Sequence, residues 1–140
     1  MDPNTRDAEC RAALHRLRRV QLVVARRIRQ AVADAYALTP AHLCVPCRAH
    51  PLAEARQVAM YLMRTCLFWP TPTRNAAFPC ARIGRLLGGR DHSTVMHGVA
   101  VIVARLVSGR EENASLCQMV RALAATLDAT YEADTWCQAA

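Results

Sequence analysis

Apolar residues recur at three- and four-residue steps through most of the chain, and their spacing predicts helices and no strands. Between Thr5 and Leu38 there is neither Pro nor Gly, and Leu14, Leu17, Val20, Val24, Ile28 and Val32 fall on one stripe. That is an amphipathic helix, or two in series. It ends near Ala37, because Pro40 disfavours a helical conformation in Thr39. A second helix is predicted over 51–67, with Pro51 in its first turn and Ala55, Val58, Ala59, Leu62, Met63 and Cys66 inward. Phe68 to Thr73, with two prolines, reads as an extended loop. A short helix over 81–87 stops at Gly88-Gly89, a pair suited to the left-handed C-cap conformation. A new helix opens at Asp91 and runs to about Val107, with Val95, Val99, Ile102, Val103 and Leu106 inward. A last one spans 114–127 on Leu116, Val120, Leu123 and Leu127. The fold class is all-α, with five to six helices. Two short-coupled helices joined by a glycine turn form a helix-turn-helix, whose second helix enters the DNA major groove by its N-terminal end.

Composition narrows the partner. The 140 residues suffice for one domain. Every one of the 18 basic residues is arginine, whose planar fork suits phosphate and guanine edges. Residues 1–40 carry a net charge of +4, residues 41–110 of +7 and residues 111–140 of −4, so the middle of the chain is the anion-facing part. Asp2, Asp7 and Glu9 occupy the place of a basic signal-peptide region, and apolar runs such as Val99 to Ala104 are too short to span a bilayer. A cytoplasmic, nucleoid-associated protein is expected. The arginines of the first helix, Arg11, Arg16, Arg18, Arg19, Arg26, Arg27 and Arg29, are a solvated face, or a surface for DNA or acidic phospholipid.

The stretch GGRDHSTVMH, 88–97, concentrates polar chemistry. A hydrolytic triad of Asp91, His92 and Ser93 fails, because consecutive helical residues point about 100° apart and cannot converge. His92 and His97 are five apart, the wrong spacing for two metal ligands on one helical face. What adjacency allows is a row of different polar tips on a first helical turn, as base reading requires. Asp91 also fits a plain N-cap. Seven cysteines lack a disulfide framework and are expected reduced. His42-x-Cys44-x-x-Cys47-x-x-His50 contains one CxxC with no second to complete a usual zinc arrangement. A zinc- or redox-switched pair at Cys44 and Cys47 is the minor alternative; no metal, cofactor or enzymatic activity is expected.

Ile83-Gly-Arg-Leu-Leu-Gly-Gly-Arg-Asp-His-Ser-Thr-Val-Met-His97 resembles the signature of the C-terminal DNA-binding domain, domain IV, of the bacterial replication initiator DnaA. Ala55-Arg-Gln-Val-Ala-Met-Tyr-Leu62 is similar to that family's second-helix motif, and residues 28–43 resemble its first helix and following turn. The resemblance covers about residues 28–127. It implies a Trp-repressor-like helix-turn-helix that binds double-stranded DNA at DnaA boxes, short asymmetric A·T-rich sites. Arg48 would enter the minor groove, and Asp91, His92, Ser93 and Thr94 would read bases in the major groove. Arg56, Gln57, Arg64, Pro79, Arg90 and His97 would contact phosphate or support the recognition helix. The chain then divides into an arginine-rich extension (1–27), the DNA-binding domain (28–128) and an acidic tail (129–140).

Two departures stand out. Ser93 replaces the Thr common in the family, which keeps a hydroxyl and loses a methyl. The loop between Arg64 and Ile83 is enlarged by roughly nine residues, with Trp69 and Arg74 in it, which shifts Pro79 relative to the family's proline contact. No GxxxxGK(S/T) nucleotide loop occurs in the 140 residues. The expectation is a stand-alone reader of initiator-type sites, or a piece of something larger, that regulates replication initiation or transcription without ATPase activity. An interaction module built on the arginine-rich helix, with acidic phospholipid or replication proteins as partners, is the alternative. Oligomeric state is open, since Leu14, Leu17 and Val20 fit either a dimer seam or packing on the domain.

Overall fold

A computed structural model describes residues 2–66 and 79–139; the loop expected at 68–73 and its neighbour Arg74 lie outside them. The described residues form five α-helices and no strand: α1 (Pro3–Ala35), α2 (Leu52–Cys66), α3 (Cys80–Leu86), α4 (His92–Val107) and α5 (Ala114–Ala139). Short 3-10 turns at Pro40–Cys44 and Glu111–Asn113 precede α2 and α5. Among the described residues, no helix is long and apolar enough to cross a membrane.

The first helix is continuous. The Asp2 side chain caps it by accepting from the Asn4 N–H at 3.3 Å, and Pro3 occupies the first turn, where its missing N–H costs nothing. At the other end Ala37 takes a left-handed φ of 53°, and the Leu38 N–H closes on the Ala33 carbonyl at 2.8 Å. At 1.5 Å per residue the 33-residue helix is about 50 Å long. It is longer than the core it serves.

That core joins all five helices. Val24, Ile28 and Val32 of α1 meet Val58, Leu62 and Met63 of α2, Ile83 of α3, Val95 and Ile102 of α4, and Leu116 and Val120 of α5. Each such side chain, fully buried, contributes about 1.5–3 kcal/mol. Leu14 is 54 % exposed, so among the described residues it does not pack on the domain. One expectation is corrected. Val103 is 42 % exposed, since it lies about 80° around α4 from the line of Val95, Ile102 and Leu106. The side chain of Leu17 lies outside those described. α5 also continues to Ala139, beyond the last residue of its apolar stripe at Leu127.

A polar network fastens the helices at the end of the bundle where α1 finishes. The Tyr36 hydroxyl donates to Glu54 Oε2 at 2.7 Å and Arg105 Nη1 donates to Glu54 Oε1 at 2.6 Å. Arg105 Nε donates to Asn113 Oδ1 at 3.0 Å, and Asn113 Nδ2 to Ser108 Oγ at 2.9 Å. One carboxylate thus ties α1 and α4 to α2. Burial pushes the Glu54 carboxyl up, but the bonds from Tyr36 and Arg105 and the charges of Arg105 and His50 outweigh it and hold it below its ordinary value. Burial and the bond to Glu54 raise the Tyr36 hydroxyl well above the usual phenol.

A folded-state pKa below the unfolded one means that Glu54 contributes fully above the ordinary carboxylate range and loses that contribution as pH falls through the folded value. Glu54→Gln should therefore cost about 1–3 kcal/mol in urea unfolding at pH 7. The gap from wild type should narrow steadily on acidification below about pH 4.5.

Candidate nucleic-acid interface

The turn between α3 and α4 is built on glycines, two of which, Gly84 and Gly88, leave no room for a Cβ. The Arg90 N–H reaches back to the Gly84 carbonyl at 2.8 Å, and a Cβ on Gly84 would stand 2.0 Å from the Arg90 carbonyl oxygen. Gly88 and Gly89 take left-handed φ values of 92° and 75°. A Cβ on Gly88 would also meet the Cys44 carbonyl at 2.3 Å, so the helix-turn-helix corner presses directly on the end of the first 3-10 turn, where the segment leading to α2 begins.

That segment, which carries Arg48, is held by two guanidinium groups. Arg56, only 4 % exposed, donates through Nε to the Leu43 carbonyl at 3.0 Å and through Nη2 to the carbonyls of Val45 at 2.7 Å and Cys47 at 3.0 Å. Arg90 donates through Nη2 to the same Val45 carbonyl at 2.8 Å and through Nε to Leu87 at 3.1 Å. Burial, and then the charge of Arg90, pull the Arg56 guanidinium below its ordinary pKa. Arg48 itself is exposed, one residue beyond the last clamped carbonyl. Loop and corner are a single unit.

Asp91 sits in the extended N-cap conformation of α4 (φ −67°, ψ 150°), yet its side chain makes no capping hydrogen bond. It instead accepts from the Ser93 hydroxyl and lies 3.1 Å from His92 Nδ1. A carboxylate only accepts, so this contact places the proton on Nδ1 and leaves His92 Nε2 as the acceptor of the neutral ring. The Ser93 bond and the charge of His92 hold the exposed Asp91 carboxyl below its usual range. His92, Ser93, Thr94 and, a turn later, His97 are all exposed, while Val95 and Gly98 behind them are buried. Gly98 lets α4 approach α2 closely, since a Cβ there would come within 2.6 Å of Met60 Sδ and 3.4 Å of Gln57 Cγ. Pro79 is exposed at the start of α3, and Arg64 is half-buried on α2.

Met96, 58 % exposed on the same side chain row, was not among the sequence-derived candidates. Its position one step from buried Val95 would have revealed it. The four residues of the CxxC-and-histidine motif do not assemble. His42 Nδ1 accepts from the Thr39 N–H at 3.0 Å, Cys44 lies 3.7 Å from the Leu86 carbonyl, and His50 turns to Glu54 at 3.8 Å. Among the described residues no three His, Cys, Asp or Glu side chains are grouped to hold a metal ion.

The family model described as the bacterial DnaA protein helix-turn-helix matches residues 25–102. The chain is also similar to chromosomal replication initiator proteins DnaA. It is 35% identical over 89 residues to that of Spiroplasma citri, covering 64% of this chain and 18% of the relative. With the Sphingopyxis alaskensis protein it shares 38% over 96 residues, 69% of this chain and 19% of the relative. With the Leptothrix cholodnii protein it shares 36% over 101 residues, 71% and 17%. The chain thus spans about a fifth of the length of the curated relatives it matches.

The two kinds of glycine requirement should separate in thermal melts. Gly84→Ala forces a methyl into a backbone carbonyl and should cost about 2 kcal/mol or more. Gly89→Ala meets no atom within 4 Å and should cost about 1–2 kcal/mol of left-handed strain alone.

Proposed function

The chain belongs to the bacterial DnaA helix-turn-helix family, and on that footing we propose that it reads double-stranded DNA at DnaA-box-like sites and regulates replication initiation or transcription by occupying them. One observation carries the reading. Arg56 and Arg90 lock the Arg48 loop to the α3–α4 corner through a shared carbonyl, so two reading elements are presented from one rigid body.

The roles follow from the chemistry each position offers. Asp91 is an acceptor suited to cytosine N4, His92 Nε2 an acceptor or, when the ring is charged, a donor, and Ser93 keeps its lone pairs while its proton is engaged by Asp91. The methyl groups of Thr94 and Met96 suit thymine methyls. Arg48 enters the narrow, electronegative minor groove of A·T-rich DNA beside the major-groove site. Gln57, Arg64, Pro79 and His97 contact the DNA backbone or support the recognition helix, and Arg56 and Arg90 act from within by holding the loop. Occupancy suffices for this role and asks for no catalytic group or bound cofactor.

Selection from a random duplex pool, followed by fluorescence anisotropy, tests the reading. One site should be bound at least a thousandfold more tightly than its shuffled counterpart. Arg48→Ala and His92→Ala should each cost about 1–3 kcal/mol on the selected site and little on shuffled DNA. Arg64→Ala should weaken both alike and flatten the salt dependence by about one unit of slope. Equal affinity for selected and shuffled duplexes would sink the site-specific role.

A further inference from the structure

α1 carries arginines past the end of the core and turns one face of them toward α3. Arg29 Nη1 reaches the Leu86 carbonyl at the end of α3 at 3.1 Å. Farther up the same line, Arg82 of α3 donates to Gln21 Oε1 at 2.5 Å and to the Arg18 carbonyl at 3.3 Å. At helical spacing Arg11 and Arg18 lie within about 20° of Arg29. Arg11, Arg18 and the α3 residue Arg85 are all exposed, and among the described residues no carboxylate pairs with any of the three. Burial and the nearby charges of Arg18 and Arg85 pull the Arg82 guanidinium below its ordinary pKa. Folding therefore gathers like charges at this seam, an arrangement that a shared polyanion would neutralise.

We propose that Arg11, Arg18 and Arg85 form a second, sequence-independent phosphate-binding surface that takes the DNA backbone flanking the site read by α4. It rests on the reading of the preceding subsection. α3 is the first helix of the helix-turn-helix, the one that crosses the phosphate backbone, and Arg82 aligns α1 with it. A bilayer surface fits less well. A helix lying in a membrane interface needs a broad apolar face, and on the exposed part of α1 Leu14 is the one large apolar side chain described as exposed.

The test compares the whole chain with its Arg18→Gln/Arg85→Gln double variant on two duplexes across a range of KCl. One duplex of about 12 base pairs holds only the selected site, and the other adds about 15 base pairs on each side. Wild type should bind the longer duplex with the steeper salt dependence. The double variant should lose about two units of that slope and roughly tenfold or more in affinity on the long duplex. It should match wild type on the short one, and Arg18→Lys/Arg85→Lys should recover most of the loss. Equal slopes on the two duplexes would overturn the proposal, as would an equal loss on both. So would unchanged DNA binding with lost co-sedimentation on phosphatidylglycerol vesicles. If long shuffled duplexes bind as well as site-bearing ones and the variant is impaired on both, the flanking surface stands and the site-specific reading fails.

Discussion

The carbonyl oxygen of Val45 accepts hydrogen bonds from two guanidinium groups, Arg56 at 2.7 Å and Arg90 at 2.8 Å, and the arrangement of the reading surface depends on that shared point. A loop between helices would otherwise leave its carbonyls to water and its side chains to thermal motion. Here three of those carbonyls are charge-assisted acceptors, each such bond being worth about 1.5–3 kcal/mol. Because one donor comes from α2 and the other from the corner that opens α4, any displacement of the recognition helix displaces the loop with it. On the reading proposed above, two grooves of a duplex would then be engaged with little further ordering of the loop or the helix.

α2 is the platform for both ends of the domain. Glu54 and Arg56, two residues apart, point to opposite sides of it. Glu54 gathers α1 and α4 through Tyr36 and Arg105, and Arg56 gathers the backbone of the loop. The glycines complete the geometry. Gly98 brings α4 against Met60 and Gln57, and Gly84 lets the corner fold back until the Arg90 carbonyl touches the α3 backbone. The exposed row from Asp91 to Thr94 is thus anchored by contacts on its buried side and its N-terminal side.

Much of this was legible in the residues. Val24, Ile28, Val32, Val58, Leu62, Val95, Ile102 and Leu116 kept both their spacing and their burial, because a periodic apolar stripe reports directly on a helix with a partner. Where the partner is missing the same stripe misleads: Leu14 continues the pattern of α1 into solvent. Arg56 is the opposite case. Charge suggests a surface, but the side chain is buried among backbone carbonyls, and carbonyls leave no trace in a sequence. For the same reason the engagement of Asp91 with the side chains of Ser93 and His92, in place of a capping bond, needed coordinates.

The clamp contains only guanidinium donors and peptide carbonyl acceptors, and the chain contains no lysine at all. Neither partner in those bonds gains or loses a proton near neutrality, and no lysine side chain is present for an acetyl group to neutralise. A reading head built this way keeps its charge constant under the lysine chemistry by which many DNA-binding surfaces are tuned. On the proposed role, its affinity would answer instead to ionic strength and to the shape of the duplex it meets.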